Sequence, residues 1–171
     1  LENYHYIFND FSMGWRALLN TLFLATAGAT LGTLLGAVSA YLTFRGRAGG
    51  RATLDTLSNL PLAVPGSILA VGVAICWIRS PLYGTLLIIL VAYVAKFTPY
   101  AQRSVAATLI SISSELDESS RMSGASWGQT VRNVLLPLLR PGLIGAWLLL
   151  FIILIRELGM ALFLYRSGTE T

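Results

Sequence analysis

Residues that build soluble enzymes and secreted domains are scarce in this chain. Of its 171 residues, Cys76 is the one cysteine and His5 the one histidine. A disulfide framework needs paired cysteines and a Cys-based metal site several, so both are excluded, and no resident cofactor or metal is expected. His5 reads as a polar loop residue. Charged residues make up only 12% of the chain, against roughly 25% in soluble domains. There is no GxxxxGK phosphate loop, so the chain is not expected to hydrolyse ATP by itself. Nor does any nucleophile–base pair stand within the apolar segments, which leaves a poor kit for an intramembrane enzyme.

What is abundant is apolar surface. Hydrophobic residues reach 55% and the mean hydropathy is +0.69. The pI near 9.6 does not point to nucleic acid, because the bases stand at the ends of apolar runs rather than clustered on a soluble face. Four runs approach or exceed the roughly 20 residues that cross hydrocarbon as a helix: 17–44, 56–78, 81–100 and 141–165. None alternates with period two, so a barrel is excluded. The expected fold is all-α, a polytopic membrane bundle with four transmembrane helices. Lys96 interrupts the third run, and its long stem is expected to snorkel to an interface. The chain opens on Leu1 without a signal-peptide pattern and is expected to be a fragment of a longer protein.

Positive residues set the orientation. Arg45, Arg47 and Arg51 follow the first run; Arg103, Arg121, Arg132 and Arg140 lie between the third and fourth; the opposite side has Arg16, Arg79 and Arg166. The positive-inside rule then makes the 103–140 segment cytoplasmic and both chain ends outward. Gly28, Gly32 and Gly36 form a small-residue stripe for close helix packing. Pro61 and Pro65 remove helix hydrogen bonds and predict a broken or kinked second span, which either lines a cavity or serves packing alone. Arg156 and Glu157 fall about 22 Å along the fourth run at 1.5 Å per residue, in the outer third of the hydrocarbon. On a continuous helix they point about 100° apart and cannot neutralise each other. Intramembrane charge marks a functional site by default, so Arg156, Glu157, Pro61 and Pro65 are candidates for a translocation pathway or gate; ion pairing that only fixes helix packing is the alternative for Arg156 and Glu157.

The cytoplasmic segment ESSRMSGASWGQTVRNVLLPLLRP, residues 118–141, is polar yet patterned. Ser114 with Asp117 offers a cap for a short helix that Gly124 ends. Ser126 with Gln129 forms a capping box for a second helix, along which Trp127, Val131, Val134, Leu135 and Leu138 share one face. Pro137 and Pro141 mark the return into the bilayer. Gly124 is expected to hold a conformation or a close approach that a side chain would obstruct. Such a hairpin suits docking into a soluble partner's groove.

The order Glu118-Ser119-Ser120, three residues, Gly124, nine residues, Val134-x-Leu136-Pro137 resembles the EAA loop of binding-protein-dependent ABC importer permeases, E-A-A-x(3)-G-x(9)-I-x-L-P. Serines replace both alanines and Val134 the isoleucine; the spacing matches throughout. NTLFLATAGATLGTLLGAVSAYL is similar to the family's first core helix and LPLAVPG to the start of the next, while SPLYGTLLIILVAYVAKFTPYAQRS and IRELGMALFLYRSGTET look like its ferric iron branch, as the second half of a fused permease. The resemblance implies that Glu118, Ser119, Ser120, Gly124, Ala125, Leu136 and Pro137 couple the chain to a cytoplasmic ABC ATPase dimer. It further implies a periplasmic substrate-binding protein, a second permease half and a multi-pass place in a bacterial inner membrane. Thiamine, 2-aminoethylphosphonate and polyamine are the alternative substrates. A structural membrane anchor or assembly subunit is the alternative of another class.

Overall fold

The computed structural model describes residues 12–46, 49–113, 115–166 and 169–171, apart from the side chains of Ser12, Met13 and Glu118. His5, Arg47 and Ser114 therefore lie outside the described residues. The described residues form helices and no strand: α1 Ser12–Phe44, α2 Arg51–Ala63, α3 Gly66–Trp77, α4 Leu86–Ser111, α5 Glu115–Met122, α6 Trp127–Thr130, a π-helical turn Val131–Leu135, α7 Leu136–Leu154 and α8 Gly159–Leu164. The all-α membrane bundle expected from the sequence is the fold observed. By length and apolarity, residues 14–44 and 127–154 each qualify as a span, and α2 with α3 qualify together as a pair bent by 103°. α4, which carries Lys96, Gln102 and Arg103, is not among them.

α4 is nevertheless the centre of the bundle. Ile89, Ala92, Ala101 and Val105 are fully buried, and α1 and α7 both lean on it. The glycine stripe makes this possible. A Cβ on Gly28 would come within 2.7 Å of Leu154 and one on Gly32 within 2.7 Å of Leu150, both on α7, while one on Gly36 would meet the backbone nitrogen of Gln102 at 2.7 Å. The packing reading of the stripe therefore holds, with α1 passing from α7 to α4 along its length. The outward faces of α1, α3 and α7 stay apolar: Leu34, Val38, Ile68 and Ile144 are each more than half exposed.

Three boundaries differ from the sequence reading. The third segment is not a helix over 81–100: Pro81–Thr85 is a turn with Gly84 at φ 81°, and α4 runs on to Ser111. Residues 103–111 thus belong to the bundle rather than to the loop. The fourth segment does not begin at Pro141, because α6, the π turn and α7 run on as one stretch, 127–154. Pro137 has no N–H and its ring pushes on the preceding turn; the widened turn just before it, closed by Leu136 N–H to the Val131 carbonyl, accommodates that ring. Finally, α7 stops at Leu154, so Arg156 and Glu157 lie in a break before α8 and not on a continuous helix. The backbone freed there is satisfied locally: Tyr93 donates its hydroxyl to the Glu157 carbonyl (2.5 Å), and the Glu157 carboxylate accepts from Met160 N–H (3.0 Å).

Candidate functional site

The hairpin forms by local rules. α5 begins where the Ser113 hydroxyl accepts from Glu115 N–H (3.2 Å). It ends at Gly124, whose φ of 85° is left-handed. Gly124 N–H returns to the Arg121 carbonyl (3.0 Å) and Ala125 N–H to that of Ser120 (3.2 Å), the paired closure that glycine permits at a helix end. A Cβ at Gly124 would meet nothing within 4 Å, so conformation and not crowding requires the glycine. The expected capping box then starts α6: Ser126 accepts from Gln129 N–H (3.4 Å), and the Gln129 side chain accepts from Ser126 N–H (2.8 Å). Ser120 joins the arms through Thr130, hydroxyl to hydroxyl at 3.1 Å.

Of the residues expected to couple, Ser119, Ser120, Gly124 and Ala125 come together at the hairpin. Glu118 belongs to α5 by its backbone, but its side chain lies outside the described residues. Leu136 and Pro137 are not part of this tip; they open α7, exposed, farther along the same helical stretch. The tip presents Met122, 90% exposed, and Trp127, 60% exposed.

The anchor of this hairpin was missed by sequence reasoning. Arg45, one residue past α1, places Nη1 2.6 Å from Asp117 Oδ2 on α5. Its Nη2 donates to the Leu109 carbonyl (3.2 Å) and to the Ile112 carbonyl. One planar guanidinium, with five donors in a fixed fork, thus binds the end of α1, the C-terminal end of α4 and the hairpin. Beside it the Trp127 indole donates to the Tyr41 hydroxyl (2.9 Å), with the rings edge to face. Only the side of the membrane was legible for Arg45, and nothing in the sequence pairs it with a residue 72 positions away.

At the other candidate site, the break between α2 and α3 has a specific support. A helical carbonyl at Pro61 would bond the N–H of residue 65, but residue 65 is proline and has none. Lys96 supplies the donor: its ammonium reaches the Pro61 carbonyl (2.7 Å) and the Val64 carbonyl (2.5 Å). The side chain is buried, at 9% exposure. The snorkelling expectation is thereby corrected: carbonyls orphaned at a helix C-terminus, where the dipole favours a cation, hold the amine inside. One turn earlier on α4, Tyr93 holds Glu157, and Gly66 approaches Met160 at the start of α8, 3.2 Å from its Cγ to a Cβ there. The two helix breaks, one at Pro65 just after Pro61 in the last turn of α2 and the other holding Glu157, are therefore neighbours on α4. Arg156 is exposed beside a cavity of about 100 Å³ that Tyr93 and Glu157 also line.

Lys96→Met keeps the stem and removes the donor. It is expected to lower the stability of the purified protein by about 2 kcal/mol, since a buried carbonyl left unpaired costs about 1–3 kcal/mol. Thermal melting measures this, and an unchanged midpoint would show that water replaces the ammonium.

Similarity to known proteins agrees with these features. The family model described as "Binding-protein-dependent transport system inner membrane component" matches residues 28–170, which include the hairpin and both breaks. The chain belongs to that family. It is 32% identical over 174 residues to the ferric transport system permease protein FbpB of Actinobacillus pleuropneumoniae, which covers 99% of this chain and 25% of that protein. It is 30% identical over 156 residues to the sulfate transport system permease protein CysT of Salmonella typhimurium, covering 84% of this chain and 56% of that one. A chain of the MetNI methionine ABC transporter, solved in inward-facing conformations, superposes with a TM-score of 0.68 at 29% identity, over 85% of this chain and 71% of that chain. The present chain thus spans about a quarter of the length of its ferric relative.

Proposed function

We propose that this chain is the membrane part of an ATP-driven importer, with hairpin 113–130 as the seat of a cytoplasmic ATPase subunit and ferric iron as the cargo. The observation that carries the reading is the hairpin itself. It has a left-handed Gly124 at the motif's spacing, exposed Met122 and Trp127 at its tip, and a rigid tie through Arg45 to two bundle helices. A connector merely resting on lipid needs no such tie. Closure of an ATPase dimer would push on the hairpin, and Arg45 would pass the push to α1 and α4. A periplasmic binding protein would deliver cargo at the opposite end, where a second permease half completes the pathway. The paired breaks around Pro61, Pro65 and Glu157, with Arg156 beside them, are the proposed gate. Two broken spans braced side by side on α4, one by Lys96 and the other by Tyr93, suit a moving pathway better than a structural anchor.

Iron is favoured by the ferric relative and by the ferric-type stretches in the sequence; thiamine, 2-aminoethylphosphonate, polyamine and the sulfate named for CysT are its competitors. Uptake of labelled ferric iron by the full-length transporter, challenged with each of these, decides the cargo.

Gly124→Val tests the coupling. A β-branched residue at positive φ costs on the order of 1–3 kcal/mol, so the tip must refold. The expected result is normal insertion with at least a tenfold fall in ATPase co-purification, and partial rescue by Gly124→Asn, which tolerates positive φ. Normal ATPase association in the valine variant would remove the support for docking. Orientation is tested by cysteines at Gly49 and Gln129, which should react in intact cells only with membrane-permeant reagents, and at Ser80, which should react with impermeant ones. The opposite pattern would overturn both topology and coupling.

A further inference from the structure

A cavity of about 530 Å³ lies between the hairpin and the ends of α1 and α2. Its lining includes Arg45, Arg51, Arg121, Asp117, Tyr41 and Trp127, so three cations face one carboxylate. Arg45 is committed to Asp117 and to two carbonyls. Arg51 and Arg121 are exposed, and their side chains make no hydrogen bond or ion pair among the described residues. Arg51 is also the first residue of α2, a helix of 13 residues whose N-terminus has no side-chain cap and no acid in its first turn. The orphan N–H groups there add positive potential. On the other side, Asp117 Oδ1 is buried with no hydrogen-bond partner among the described residues.

The cavity asks for a ligand with a phosphate for the two free arginines and a hydroxyl donor for Asp117. A stripe of Leu31, Leu34, Leu35, Val38 and Leu42, each between 43% and 59% exposed, runs along α1 up to its mouth. Tyr41 and Trp127 line the cavity, and amphipathic rings of this kind favour a membrane interface. Basic pockets between helices on the cytoplasmic side suit anionic lipid headgroups.

We propose that this cavity binds the headgroup of an anionic phospholipid of the glycerol-phosphate type, with the acyl chains along the α1 stripe. A lipid seated there would touch α1, α2 and the hairpin at once. It would set how firmly the hairpin is held, independently of the cargo.

The test uses the purified full-length permease in phosphatidylcholine nanodiscs, titrated with phosphatidylglycerol and followed by thermal melting and by lipid retained in native mass spectrometry. Phosphatidylglycerol is expected to raise the melting midpoint saturably. Each of Arg51→Gln and Arg121→Gln should weaken the apparent affinity about fivefold, and the pair about 25-fold, from roughly one fivefold factor per interfacial arginine. Midpoints in pure phosphatidylcholine should be unchanged. Wild-type affinity in both single variants would overturn the proposal, and these two measurements stand even if the double variant fails to fold. If glycerol 3-phosphate without acyl chains stabilises the protein at the same concentration as the lipid, the occupant is a soluble phosphate and the lipid proposal is wrong.

Discussion

Gly36→Leu is expected to prevent α1 from seating on α4, whereas Gly145→Ala is expected to leave the protein as stable or more so. At Gly36 even the first added carbon would come within 2.7 Å of the Gln102 nitrogen and 2.8 Å of the Ala101 Cβ. These are backbone and a side-chain base, neither of which can swing aside. Relief requires the helices to separate, and that opens the contact around fully buried Gln102 and Ala101. Overpacking a core costs about 1–3 kcal/mol where side chains can adjust, so a backbone collision belongs at or above the upper end. Gly145 lies inside α7 with nothing within 4 Å of a Cβ. There alanine gains up to about 1 kcal/mol of helix propensity. Denaturation of the two purified variants beside the parent reads both signs. Equal effects at the two positions would mean that the stripe is an ordinary lipid-facing surface.

The parts of this molecule that were legible in sequence are those written locally. Gly124 and the Ser126–Gln129 box specify their own backbone within a few residues, so the hairpin could be drawn before any tertiary contact was known. The break at Pro61–Pro65 was legible for the same reason, because a missing N–H is a property of the residue itself. Its support was not: Lys96 acts on carbonyls 32 and 35 positions upstream. The useful signal was that the Pro61 carbonyl had lost its helical donor and a buried cation was available to replace it. The end of α4 at Ser111 was hidden too, since the carbonyls of its last turn are taken by Arg45 from another helix. The break at 155–158 contains no proline or glycine. Two adjacent charges followed by Gly159 in an otherwise apolar run were its one local trace, and they read equally well as charges on an unbroken helix.

Arg45→Ala is expected to free the hairpin while the bundle stays folded. The pair with Asp117 is partly sheltered, with side-chain exposures of 11% and 23%. Losing one member of a fully buried pair costs 3–5 kcal/mol, and exposed pairs contribute less than about 1 kcal/mol. Partial exposure here places the loss between them, at roughly 2 kcal/mol. Concentrated on local opening, that corresponds to about a 30-fold loss of amide-exchange protection across residues 115–126. The two carbonyls at the end of α4 would lose a donor in the same variant, so a second substitution separates the roles. Asp117→Asn leaves the α4 carbonyls capped and weakens only the link to α5. If Arg45 is the tie between bundle and hairpin, Asp117→Asn should loosen 115–126 without touching 107–112. The double variant should then be no looser over 115–126 than Arg45→Ala alone, because the pair acts as a unit. On the proposed coupling to an ATPase, both single variants of the assembled transporter should hydrolyse ATP with less transport per ATP consumed. If Asp117→Asn leaves hairpin protection and the transport ratio unchanged, Arg45 serves only to cap α4, and the proposed push from the hairpin would have to reach the bundle by the Tyr41–Trp127 contact instead.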